Sequence, residues 1–231
     1  IILKKVVKMI IYHGSKNIIS KPCFGIGNPK NDYGLGFYCT ENIELAKEWA
    51  CTSNIQNGYA NIYELDIRNL KILDLRDCKY SILNWLAILL KHRTFDCNNS
   101  IAEKSKEYLI DNFYIDVESY DIVIGYRADD SYFSFAKDFI NNTINLNQLS
   151  RAMKLGNLGI QIVLKSENAI AKIKFISYET AISKEYYIKR LVRDQKARSK
   201  YFNDCRLNDD VEGLYMIDIV RKGLKNNDEI L

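Results

Sequence analysis

The chain is poor in histidine and proline, with two of each in 231 residues. Two histidines exclude a histidine-rich metal site. The six cysteines (Cys23, Cys39, Cys51, Cys78, Cys97 and Cys205) form no C-x-x-C pair and follow no metal-ligand spacing. No metal cofactor is therefore expected. No secretory signal pattern is read at the N-terminus, so the thiols are taken as reduced and the protein as cytoplasmic. No apolar run reaches the ~18 residues that a membrane-spanning helix needs, and no membrane partner is expected. A net charge of +4 is too small to mark a nucleic-acid binder and does not exclude one. Internal repeats and low-complexity segments are absent from the sequence.

What is present is the composition of a soluble globular protein, 47% hydrophobic and 27% charged. The length suits one domain spanning residues 1–231, either as a single full core or as a core with a helical appendage. Strand patterns fall at Met9–His13, Gly36–Thr40, Ala60–Ile67, Lys71–Leu75, Asp121–Gly125, Gly159–Lys165 and Ala171–Tyr178. Helical periodicity falls at Asn42–Cys51, Ser81–His92, Ile101–Asp111, Ser131–Asn141, Asn147–Leu155, Lys184–Tyr201 and Asp209–Lys222. Residues 20–35 hold both prolines and read as a loop. Strands toward both ends with helices between them predict an α+β fold. Ile1 is not a methionine, and Met9 directly precedes the first strand. Residues 1–8 read either as an over-extended reading frame or as a β-rich extension of that strand.

Two segments carry the chemistry. Residues 11–15 read I-Y-H-G-S, and residues 32–40 read D-Y-G-L-G-F-Y-C-T. Each joins an apolar stretch to glycines and to a functional side chain at a strand position. Glycine lets a backbone approach a ligand closely. His13 can donate and accept hydrogen bonds at once, as a sugar hydroxyl requires. Tyr38 offers a ring for stacking. The second histidine, His92, ends an apolar helix in K-H-R, where its charge suits the helix C-terminus, so it is read as structural.

Taken together, H-G-S followed by G-L-G-F-Y resembles the nicotinamide pocket of ADP-ribosyltransferases of the diphtheria-toxin and poly-ADP-ribose-polymerase type. The resemblance covers residues 9–66 and, more loosely, 155–180. It is similar in wording to a bacterial family of small proteins grouped with those enzymes and encoded beside a small partner gene. The resemblance implies two facing small sheets around an NAD⁺ cleft, a helical insertion at about residues 80–155, and C-terminal helices at about 184–222. It implies that His13 bonds a ribose, that the backbone of Gly14 clamps the nicotinamide amide, that Ser15 adds a hydroxyl, and that Tyr38 stacks on the ring. Ala46 and Trp49 fall where that group places a small residue and a second aromatic. Gly36 belongs to the same loop, and Tyr33 is a candidate lid.

The third position of the resembled triad is often Glu. The candidate here is Gln161 in N-L-G-I-Q-I-V-L-K-S, where a buried amide without partners would cost several kcal/mol. Gln orients a hydroxyl but supplies neither charge nor base. Single-unit transfer is therefore expected rather than chain elongation. In Y-R-A-D-D-S-Y-F, Asp130 reads as the cap of a helix from Ser131. Arg127 and Asp129 remain for a phosphate contact or an acceptor-side base. The basic helix Lys184–Lys200 reads as a solvated face or a contact for nucleic acid or acidic protein. The resemblance thus implies a mono-ADP-ribosyltransferase that consumes NAD⁺ and modifies a protein or nucleic acid, with a toxin role and a small antitoxin partner. NAD⁺ hydrolysis and an inactive NAD⁺- or ADP-ribose-binding module stand as alternatives.

Overall fold

The computed structural model describes residues 7–97, 99–128, 130–153, 159–207 and 212–230. The fold is α+β, with two small sheets. Seven strands are described: β1 (Lys8–Ser15), β2 (Phe37–Cys39), β3 (Gly58–Asp66), β4 (Ile72–Asp74), β5 (Ile122–Tyr126), β6 (Ile160–Leu164) and β7 (Ile173–Ala181). The helices are α1 (Ile43–Ala50), α2 (Ile82–His92), α3 (Ser100–Phe113), α4 (Asp130–Ile140), α5 (Leu146–Ala152), α6 (Glu167–Ala171), α7 (Ser183–Leu207) and α8 (Met216–Lys222). The short α6 and a 3-10 turn at Val117–Ser119 were not expected from periodicity. Both are too brief to show one. None of the described helices is long and apolar enough to cross a membrane.

One sheet has the order β1-β3-β7 and the other β2-β6-β5-β4. An antiparallel bridge joins them: Tyr12 N–H donates to Thr40 O at 2.8 Å, and Thr40 N–H to Tyr12 O at 2.9 Å. The sheets bury a shared core between them. Ile11, Tyr63 and Leu65 from the first meet Phe37, Cys39, Ile122, Ile124, Ile162 and Leu164 from the second. By strand alternation, Val123 and Val163 turn to the other face of the second sheet and join the helical core with Trp85, Phe113 and Phe139. The segment expected as a helical insertion therefore contains β5, which lies between β6 and β4 in the second sheet. Trp85 of α2 also donates its indole N–H to Tyr126 O at 3.1 Å, so these helices are packed into the sheet rather than appended to it.

The basic helix α7 is tied to α1. Lys189 pairs with Glu44 at 3.3 Å and with Glu185 at 2.6 Å, and Arg193 pairs with the buried Glu48 at 2.7 Å. Arg198 pairs with Asp194 along the helix. Two residues of the basic run, Lys189 and Arg193, thus hold α1, the helix that carries Trp49.

Candidate functional site

Sheet register decides which side chains meet. β2 and β6 are antiparallel with Tyr38 opposite Val163, and β5 pairs with β6 so that Gly125 lies opposite Gln161. Gln161 and Val163 share a face, so Tyr38 and Gln161 are diagonal neighbours on the helical side of the sheet. The Tyr12–Thr40 bridge brings β1 alongside β2, which sets His13 against Tyr38. These strands, α1 and the chain after β5 enclose an open cleft of about 330 Å³. That is at the low end for small-molecule sites, roughly 300–1,000 Å³. His13, Gly14, Asn31, Asp32, Tyr38, Trp49, Arg93, Arg127, Ala128 and Gln161 line it. Residues up to 148 positions apart in sequence thus converge on one cavity: His13 and Gln161 are the extremes.

His13 is half-buried at the end of β1. Its Nδ1 donates to the carbonyl oxygen of Tyr38 at 2.7 Å, and its ring stacks on Phe37 at 4.2 Å. A carbonyl only accepts, so the neutral ring carries its proton on Nδ1 and leaves Nε2 as an acceptor. Burial pulls its pKa down, against the Tyr38 carbonyl, which raises it. The turn after H-G-S is fixed by Asn61, which is fully buried. Its Nδ2 donates to the carbonyls of His13 and Asn17, and its Oδ1 accepts from Ile19 N–H.

Gly14 lines the cleft, yet its glycine character answers to packing. A Cβ there would lie 2.0 Å from Ala46 O, so any side chain would push α1 off β1. Ala46 is itself fully buried beneath that contact. Ser15 does not line the cleft; its Oγ accepts from Asn17 N–H at 3.2 Å and shapes the turn. Gly36 is likewise a packing residue, since a Cβ would meet Val163 Cγ1 at 2.5 Å. Gly34 has φ +74, and a Cβ there would meet the His92 ring at 2.6 Å; the His92 Nε2 is buried without a hydrogen-bond partner.

Tyr33 is not a lid. It is fully buried, with its hydroxyl donating to Tyr126 O at 2.7 Å, because the loop before β2 turns this ring into the helical core. Tyr38 uses its hydroxyl within the same loop. It donates to Gly34 O at 2.7 Å and accepts from Tyr33 N–H at 3.1 Å. Burial raises its pKa far above the usual phenol range. The ring, not the hydroxyl, is what Tyr38 offers to the cleft. Behind the loop, Lys165 has a fully buried side chain and donates to Tyr33 O, Leu35 O and Glu118, each at 2.7 Å.

Gln161 is 6% exposed, and its Oε1 is buried without a hydrogen-bond partner. Trp49 Nε1 is in the same condition. The guanidinium of Arg127 lies over the Trp49 ring, 4.7 Å from its centroid. Asp32 is buried; its carboxylate accepts from Arg93 Nη1 and from Ala128 N–H, both at 2.9 Å. Burial pushes its pKa up, opposed by the Ala128 N–H and the two arginines. Asp129 lies outside the described residues. α4 begins at Asp130 itself, one residue before the expected start at Ser131.

The residues not anticipated are Asn31, Asp32, Arg93 and Ala128. Asp32 lies in D-Y-G-L-G-F-Y-C-T and Arg93 in K-H-R, and neither is given a role by the sequence alone. Nothing in linear spacing connects position 32 with 93; the ion pair exists only after α2 packs against the loop. A family model described as "Protein of unknown function (DUF3990)" matches residues 9–175. No curated protein and no solved structure matches the chain. The matched span runs from β1 into β7 and takes in every residue that lines the cleft, and the chain belongs to the DUF3990 family.

Proposed function

We propose that the cleft binds NAD⁺ and that the protein is a mono-ADP-ribosyltransferase on a transferase-like arrangement of two facing sheets. The observation that carries this reading is the meeting of His13, Tyr38, Trp49 and Gln161 with Arg93 and Arg127 in one cavity. Two aromatic rings suit a flat pyridinium ring. Nε2 of His13 and Oε1 of Gln161 are acceptors for ribose hydroxyls. The arginines suit a pyrophosphate through their planar forks.

In this reaction the N-glycosidic bond breaks with its electron pair passing to the pyridinium nitrogen, and nicotinamide leaves neutral. An acceptor atom then bonds to the anomeric carbon, and its proton passes to water. Gln161 holds the ribose hydroxyl as positive charge develops on the ring, and Tyr38 and Trp49 hold the leaving group. Their contribution is positioning. The acceptor is a macromolecule, and a toxin role with an antitoxin partner rests on the sequence resemblance alone.

A second reading has a specific observation behind it. Asp32 is committed to Arg93 and Ala128, and Gln161 supplies no charge, which favours a binding module without turnover. Incubation of a lysate with adenine-labelled NAD⁺ and the protein tests both. Label retained on macromolecules, then released by protease or nuclease, supports transfer. Nicotinamide release without labelling indicates hydrolysis, and NAD⁺ binding without release indicates a module.

A further inference from the structure

The guanidinium of Arg127 covers the ring that the cleft presents for stacking. Arg127 follows β5, and its backbone is pinned on both sides. The carbonyl of Tyr126 accepts from Tyr33 Oη and Trp85 Nε1, and Ala128 N–H donates to Asp32. Backbone movement at this point would break three hydrogen bonds, so a displacement of the Arg127 guanidinium is a rotation of its side chain. Its planar cation lies 4.7 Å from the Trp49 centroid, and Trp49 Nε1 is enclosed without a partner. A planar cation on an indole face is the arrangement that a pyridinium ring would adopt there. Arg93 lines the same cleft, already bonded to Asp32 and 26% exposed.

We infer that Arg127 is a specificity-determining residue that occupies the Trp49 platform in the free protein and yields it to ligands carrying an anionic phosphate. The phosphate draws the guanidinium off the indole toward itself, and a flat cationic ring then takes the vacated face. A ring without a phosphate has to compete with Arg127; a phosphate without a ring still moves it. Discrimination for a ligand that joins both groups follows, as in a pyridine nucleotide. The nucleotide part of this inference rests on the NAD⁺ reading above, while the displacement of Arg127 by an anion does not.

Trp49 and Trp85 are the two tryptophans. Trp85 is 1% exposed in the core, so ligand-dependent changes in indole emission report Trp49, with Trp49→Phe as the control. The probes are inorganic pyrophosphate, 1-methylnicotinamide (a pyridinium ring without phosphate), ADP-ribose and NAD⁺. Pyrophosphate is expected to change Trp49 emission in the wild type and not in Arg127→Ala. In the same variant 1-methylnicotinamide should bind more tightly, by roughly two- to thirtyfold from the strength of a cation–π contact, while ADP-ribose binds more weakly. Arg127→Lys, which keeps the charge without the planar fork, should lie between. Opposite signs for the two ligands are the signature. Unchanged or weakened 1-methylnicotinamide binding in Arg127→Ala, or no response to pyrophosphate in the wild type, overturns the assignment. If those two probes behave as stated and NAD⁺ does not bind, the NAD⁺ reading falls and the role of Arg127 stands.

Discussion

Nδ1 of His13 donates to the carbonyl oxygen of Tyr38 at 2.7 Å, so the two motif strands are joined through the side chain of one and the backbone of the other. This bond fixes the ring and its tautomer, and it separates two roles that one substitution can split. Asn at position 13 can place an amide N–H near the former Nδ1 but nothing at Nε2. His13→Asn is expected to melt near the wild-type temperature and to lower nicotinamide release by about tenfold or more, the worth of one lost hydrogen bond near 1.4 kcal/mol. His13→Ala should lose both stability and turnover. Equal turnover in the wild type and His13→Asn would remove Nε2 from the site.

The same histidine sets a pH dependence. Burial holds the folded-state pKa of His13 below the usual ~6.5, and burial acts on His92 in the same direction. The unfolded chain therefore binds protons more readily than the folded one between those values. Stability should be level above about pH 6.5 and fall as the pH drops toward the folded-state pKa values. Urea titrations across that range should show the decline, and it should be shallower in His13→Asn. A stability that rises on acidification below pH 6.5 would contradict the neutral assignment of these histidines.

Tyr38→Phe and Tyr38→Ala should differ in kind. Phe keeps the ring but deprives Gly34 O and Tyr33 N–H of their partner, at a cost of about 1–3 kcal/mol for each group left unsatisfied. Calorimetry is expected to show a lower Tm for Tyr38→Phe with ligand affinity largely kept, and a loss of both for Tyr38→Ala. Equal affinity losses in the two variants would mean that the ring does not stack on the ligand.

Gln161 offers a test in which stability and function move oppositely. Its Oε1 is buried and unpartnered, so Gln161→Met removes an unsatisfied acceptor at similar volume. The variant should be as stable as the wild type or more so, by up to about 1–3 kcal/mol, and should turn over NAD⁺ more slowly with binding kept within a few-fold. Gln161→Glu should lower the Tm of the free protein, since it places a carboxylate at a 6% exposed position. A destabilised Gln161→Met with unchanged turnover would make Gln161 a packing residue.

Lys165 is predicted to be a positioning residue for the loop before β2. Lys165→Met removes the donor to Tyr33 O and Leu35 O, which should cost about 1–3 kcal/mol per carbonyl. Ligand affinity should fall along with Tm, and loop amides near Gly34 should exchange faster with deuterium. Faster exchange confined to regions away from this loop would count against the assignment.

The sequence by itself determined the strands, most of the helices, the α+β class and the two motif segments. Alternation and helical periodicity are local, and the residues that create them lie within one element. It also singled out Gln161, because an amide amid Ile160, Ile162 and Val163 breaks the apolar pattern. What only the tertiary structure decided was which motif residues face the cleft. Tyr33 and Tyr38 both stood beside the glycines; loop conformation buried the first and left the ring of the second in the cavity. Gly14 and Gly36 marked close approach in the sequence, and the approaching atoms proved to belong to α1 and β6. The Asp32–Arg93 pair and the Arg127–Trp49 contact join positions dozens of residues apart. Such contacts follow from the packing of α2, α1 and β5 around one cavity, and no periodicity within a single segment encodes them.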